Sequence, residues 1–245
     1  MNILYAGDSP VGGAANYLLA VLRSLRAAVT HIPPSGRLPA DLGRHYHAII
    51  LSDFPRRHAP QAAQVAIASH VAAGRGLLMV GGWASFSGPS GGWHGSLVER
   101  LLPVACRARD DRVPLPGGAV VTAVRRHPAL RGVAFGEPPV ICGLNAVQPR
   151  SDSAVLLHAA PVRWRVDGGH GRVTARAHGA AYPLLVVGTQ ARTAALATDL
   201  APHWCGGLVD WGRRRQALPV AGAIRVDVGD QYVRFIAALV RWLCG

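Results

Sequence analysis

A chain of 245 residues, half of them hydrophobic, can bury one large core, and at this length one domain is a better expectation than two. The formal net charge is +13, with arginine at every basic Lys-or-Arg position, yet the arginines are scattered outside the run Arg213-Arg214-Arg215 and form no aromatic-interleaved stripe, so a nucleic-acid partner is not expected. No apolar run approaches the roughly 20 residues that span a bilayer, and the N-terminus lacks the basic and apolar segments of a secretory signal, so no membrane association is expected.

Residues 3–6 read as a first strand, which runs out at Asp8-Ser9. Tyr17, Leu18, Val21, Leu22 and Leu25 then recur at three- and four-residue intervals, which predicts an amphipathic helix over residues 14–28. A second strand over residues 48–53 ends in a carboxylate, and a helix over residues 60–73 is closed by Gly74. The third strand, residues 77–80, runs directly into Gly81-Gly82. Short apolar runs alternating with helical stretches predict an α/β fold, its parallel sheet covered on both faces. After Leu102-Pro103 the pattern turns irregular, with β-like pieces around residues 120–124 and 155–158 only. The stretch 103–180 therefore reads as an insertion-like region inside a single domain spanning residues 1–245. Two strand-like runs follow, residues 184–187 and 193–199, which predict a hairpin at or near the sheet edge. A last helix over residues 231–243 places Val233, Ile236, Ala237, Val240 and Leu243 on one face.

Ligands of open α/β sheets sit beyond the carboxyl ends of the strands, where successive loops converge. Those ends carry Asp8 and Ser9, then Asp53, then Trp83, Ser85 and Phe86 in a glycine-rich loop. Trp93 and His94 lie just beyond it, and Asp199, His203 and Trp204 follow the late strand. Each has a bland counterpart: strand-end acids also cap helices, tryptophan also packs cores, and histidines also serve as satisfied structural groups. For the adjacent acids Asp110-Asp111 a solvated turn is the default. If the loops build one pocket for catalysis, His94 or His203 serves as general acid or base with Asp53 or Asp199 as orienting partner. The tryptophans and Phe86 supply apolar faces suited to a sugar or another polyol. The four cysteines Cys106, Cys142, Cys205 and Cys244 form no C-x-x-C pair, and no H-E-x-x-H spacing exists. Neither a cofactor nor a metal is therefore expected, an open set of His94, His203 and a carboxylate requiring the fold to unite distant residues. Widely spaced cysteines fit a reduced, cytoplasmic setting.

A long ordered series of segments then carries a resemblance. It comprises Ala6-Gly7-Asp8-Ser9, Ile50-Leu51-Ser52-Asp53, the run from Gly76 to Gly88, Gly92-Trp93-His94-Gly95, Leu101-Leu102-Pro103-Val104, Asp110-Asp111-Arg112-Val113, His127-Pro128-Ala129-Leu130, Gly143-Leu144-Asn145 and Thr198-Asp199-Leu200-Ala201-Pro202-His203-Trp204. On these the chain resembles the putative glutamine amidotransferase-like proteins of the class I glutamine amidotransferase-like superfamily, relatives of trehalose-utilisation-type domains. The resemblance implies a flavodoxin-like three-layer α/β/α sandwich with a mostly parallel central sheet, and it adds Asn145 to the ligand-binding candidates. A glutaminase of that superfamily presents a cysteine on a G-x-C-x-G elbow. Here the elbow aligns from Gly81 or Gly82 and puts Trp83 or Ala84 at the nucleophile position, while Ser85 and Ser87 lack a glycine two residues before. Cys205 beside His203, and Cys142 before Gly143, are the remaining thiols to consider. Two functions stand in competition: a small-molecule site serving binding or non-glutaminase catalysis, and a non-catalytic interaction or homo-oligomerisation domain with Trp211 beside the arginine run as its anchor.

Overall fold

The computed structural model describes residues 1–9, 13–42 and 46–245. The first half is built of β1 (Asn2–Gly7), α1 (Ala15–Ser24), β2 (Ala28–Ile32), β3 (Ala48–Ser52), α2 (Gln61–Ala72) and β4 (Gly76–Val80). β3 and β4 are buried along their whole length and β1 is buried beyond Asn2, as continuous apolar strands covered on both faces should be. The chain continues through α3 (Leu97–Leu101), β5 (Val104–Ala105), β6 (Arg112–Ala123), β7 (Val140–Asn145), β8 (Gln148–Pro149), β9 (Ser153–Asp167), β10 (Arg172–Ala177), β11 (Tyr182–Gly188) and β12 (Thr193–Leu196). It closes with α4 (Pro202–Cys205), β13 (Arg215–Ala221), β14 (Ile224–Gly229) and α5 (Asp230–Cys244).

The main sheet runs in the order β2-β1-β3-β4-β12-β11-β9-β6-β7, with β10 on β9. β2, β1, β3, β4 and β12 pair in parallel, and the strands from β11 onward continue the sheet antiparallel. The fold is the expected flavodoxin-like α/β/α sandwich. Its connections explain the layers: β1 to β2 steps one way along the sheet and β3 to β4 the other, so right-handed crossovers put α1 and α2 on opposite faces. α5 joins α1, and α3 joins α2. The core fills the space between, with Leu18, Val21 and Leu22 of α1 and Phe235, Ile236, Leu239 and Val240 of α5 buried against Tyr5, Ile50 and Leu78.

Several expectations are corrected. The β11–β12 hairpin is not at the edge, because β12 pairs with β4 on its other side and all four of its residues are buried; a hairpin's own sequence says nothing about that second neighbour. The stretch 103–180 contributes β6, β7, β9 and β10 to the main sheet, disguised in the sequence by Pro114, Pro116, Gly117 and Gly118, which fall where β6 breaks register. The helix expected over residues 14–28 stops at Ser24, where Arg26 turns left-handed with φ 56° and frees Ala28–Ile32 to pair as β2. Trp211 belongs to the core, its indole N–H donating to the Glu137 carbonyl at 2.7 Å, so it is no exposed anchor. Among the described residues no helix is long and apolar enough to cross a membrane, and all four cysteines are free.

Candidate functional site

Three strands of the parallel half deliver an acid each to one place. Asp8 follows β1, Asp53 follows β3, and Asp199 stands three residues past β12. The first two take the left-handed backbone conformation, with φ of 47° and 49°, which is uncommon for a residue with a Cβ and gathers at functional sites. With His203 and Ser9 they line a cavity of about 620 Å³, a size that holds a small molecule. Arg57 and His58 complete its wall.

Burial governs the charge of this cluster. It pushes the Asp8 carboxyl up to about 7, against the Tyr5 hydroxyl, which donates to Oδ2 at 2.6 Å and favours the ionised form, while the charge of Asp53 raises it further. Asp199 is pushed well above the carboxylate range by burial and then by Asp8, although its Oδ1 accepts from the backbone N–H of Leu200 at 2.6 Å and of Ala201 at 3.0 Å. Asp53 is raised by burial as well, offset by the N–H of Ala84, which donates to Oδ1 at 2.7 Å, and by the nearby His203. Beside Asp8 the fully buried Ser52 Oγ makes no well-formed hydrogen bond among the described residues. Burial and the mutual repulsion of the three acids thus both favour keeping part of the cluster protonated.

The other predicted residues lie elsewhere. The His94 side chain is 52% exposed, 3.9 Å from Glu99 Oε1, with Nδ1 3.2 Å from the Cys106 carbonyl, and it does not line the cavity. Trp93 is fully buried and its indole donates to the Phe54 carbonyl at 2.9 Å; Phe86 is fully buried too. Trp83 is 58% exposed under the guanidinium of Arg112, 4.2 Å from its ring centre. Ser85 supports the site from behind, its Oγ accepting the Asp53 N–H at 3.0 Å. Asn145 is a buried clamp rather than an open donor: Oδ1 accepts from Gly82 N–H at 2.9 Å, and Nδ2 donates to the Gly82 carbonyl and to Asp111 Oδ1. Asp111 is buried in that clamp, while Asp110 pairs with Arg112 in solvent, so the adjacent acids face opposite ways. Trp204 is half-buried with its indole against Gly143. Sequence reasoning missed Arg57 and His58, which stand on the loop opened by Asp53 and were findable by reading that loop past its acid.

Neither thiol lines the carboxylate cavity. Cys205 is buried, its Sγ donates to the Ala201 carbonyl at 2.6 Å, and burial drives its pKa far up, which keeps the thiol protonated. Cys142 is exposed on β7. Among the described residues no three His, Cys, Asp or Glu side chains are arranged to hold a metal ion.

A family model described as putative glutamine amidotransferase matches residues 10–217. Among solved structures, the cytoplasmic protein STM1381 of Salmonella typhimurium LT2 is 26% identical over 84% of this chain and 91% of its own, with a TM-score of 0.66. The cytoplasmic protein STM3548 of Salmonella typhimurium is 22% identical over 98% of each chain with a TM-score of 0.70. A ThuA-like protein of Bacteroides uniformis shares the fold at 14% identity, a TM-score of 0.57, 99% of this chain and 91% of its own. No curated protein matches the sequence.

Proposed function

The chain belongs to the putative glutamine amidotransferase family, and from that premise we propose that it binds or transforms a small polyhydroxylated molecule in the carboxylate cavity without glutaminase chemistry. One observation carries the reading: Asp8 after β1, Asp53 after β3, and Asp199 with His203 after β12 line a single cavity at the carboxyl ends of three strands. Carboxylates accept hydrogen bonds from hydroxyls, and a half-protonated cluster can also donate one, so the cavity suits a sugar or polyol better than an anion.

The elbow argues against a glutaminase. Acyl transfer needs a thiolate beside free backbone N–H donors, whereas Ala84 lines the cavity with a methyl group and gives its N–H to Asp53. β4 is followed by turns and reaches no helix until Leu97, so the strand-to-helix elbow is missing as well. In a catalytic version of this reading His203 moves the proton and Asp53 orients it. A cytoplasmic location fits the free cysteines and the names of the two Salmonella proteins.

His203→Ala is expected to weaken binding of the matching polyol at least tenfold, with an unchanged melting temperature because the side chain is exposed at the cavity wall. Thermal-shift screening of a sugar and polyol panel, then calorimetry on the variant, makes the measurement. A ligand bound equally well by both proteins removes His203 from the site, and no hit across the panel removes the polyol reading.

A second reading, assembly with another copy of the chain, is favoured by the arm in which β9 and β10 pair beyond the sheet. Trp164, Val166 and Val173 share one face of it and are exposed, and a lone two-stranded ribbon is marginal in water. Sedimentation that stays monomeric at all concentrations disposes of this reading.

A further inference from the structure

A second cavity, of about 480 Å³, opens on the loop between β6 and β7. Its wall carries Arg125, Arg126 and Arg131 with the apolar Leu130, Val133 and Phe135, and no acid lines it. Among the described residues none of the three guanidiniums is ion-paired. The loop that carries these arginines is held at both ends and at His127. Val124 N–H donates to the Leu156 carbonyl at 3.0 Å and Ala134 N–H to Gln231 Oε1 at 2.9 Å. Phe135 packs on Trp211 with ring centres 4.9 Å apart, and His127 meets Trp242 edge-on at 5.1 Å. His127 Nδ1 also accepts the Ala129 N–H at 3.2 Å, capping a turn at Pro128–Leu130.

That cap leaves a donor behind. Burial and the charge of Arg125 lower the His127 pKa, and a neutral ring accepting at Nδ1 carries its proton on Nε2. An adjoining cavity shares Arg125 and His127 and adds Arg192 and Trp242. It lies by Gly74 and Arg192, at the amino ends of β4 and β12, the opposite end of the sheet from the acids.

We propose that this groove is a binding site for a phosphate ester with an apolar or aromatic body. Three unpaired guanidinium forks on a pinned loop suit an anion with several acceptor oxygens, and the Leu130, Val133 and Phe135 wall suits the body attached to it. The small volume fits one small molecule rather than a polyanion track. The inference stands apart from the carboxylate cavity and does not depend on it.

Phenyl phosphate is the probe, titrated calorimetrically into the full chain at low ionic strength, with phenol and inorganic phosphate as comparisons. The expected result is saturable binding that is at least tenfold weaker in the Arg126→Gln/Arg131→Gln double variant, several-fold weaker for inorganic phosphate and undetectable for phenol. Both arginines are exposed, so the variant keeps the parent melting temperature. Absence of phenyl phosphate binding, or binding unchanged in the double variant, overturns the site. Loss of binding in Arg57→Gln also overturns it, since the anion then occupies the carboxylate cavity, and equal affinity for inorganic phosphate overturns the apolar half of the assignment.

Discussion

Gly7→Ala is expected to destabilise the protein by roughly 3–6 kcal/mol, most of the margin on which a domain of this size survives. Gly7 pairs with Ser52 across the β1–β3 ladder and holds φ at 123°, a value open to little but glycine. A Cβ there would overlap the Ser52 carbonyl oxygen. That atom belongs to a neighbouring strand in the middle of the sheet, so it yields only if the ladder opens just where Asp8 and Asp53 are aimed into the cavity. Gly74→Ala is the control: φ is 78° but nothing lies within 4 Å of the added methyl, so it should cost only about 1–2 kcal/mol. Guanidinium denaturation of both variants makes the comparison. Equal losses in the two would mean that backbone conformation alone matters and that the close approach of β1 to β3 does not.

Stability is expected to fall as pH rises from about 4 to about 7, and Asp8→Asn should abolish much of that fall. Burial raises Asp8 from 3.8 to about 7, so across this window the folded chain binds a proton that the unfolded chain has released. The contribution is complete below the unfolded value and is lost as pH climbs through the folded one. A displacement of that size corresponds to roughly 4 kcal/mol, part of it arising from the repulsion between Asp8 and Asp199. Asp53 and Asp199 are shifted in the same direction by their own burial. The exposed acids Asp110 and Glu137 are lowered by Arg112 and Arg213 and work in the opposite sense, with little effect because water screens them. In Asp8→Asn the amide oxygen still accepts from Tyr5 and no charge is buried, so the variant should be more stable than the parent at pH 8 and similar to it at pH 4. Denaturation at the two pH values tests this, and a variant equally weakened at both would show that the Asp8 charge is well solvated.

Functional consequence follows from the same numbers. In the proposed reading the Asp8 carboxyl, raised to about 7 by burial and accepting from the Tyr5 hydroxyl at 2.6 Å, is the group that exchanges a proton with a ligand hydroxyl.

The parallel half of the fold is legible in the residues because β1, β3 and β4 are buried on both faces and must read as unbroken apolar runs. Where such a run stops, the chain leaves the sheet, which is why the amino-acid order alone points to Asp8, Asp53, Asp199 and His203 as neighbours. The antiparallel half is legible only at β11 and in fragments of β6 and β9: β6 carries its prolines and glycines at a register break, and the all-exposed end of the β9–β10 arm has no core to leave an imprint. Candidates at the site divide along the same line. Trp93 and Asn145 look in sequence like any aromatic or amide near a strand end, and only their surroundings show that one fills the core and the other clamps Gly82 to Asp111. His94 sits nine residues from Ser85 in the chain but turns toward Glu99 and Cys106, and Arg57 and His58 reach the cavity although no motif marks them. By itself the sequence determined the layer architecture and the strand ends, since burial along a strand must be written in consecutive residues. Only the tertiary structure decided which side chains share a cavity, because that depends on what lies across the sheet, and no local pattern encodes the opposite wall.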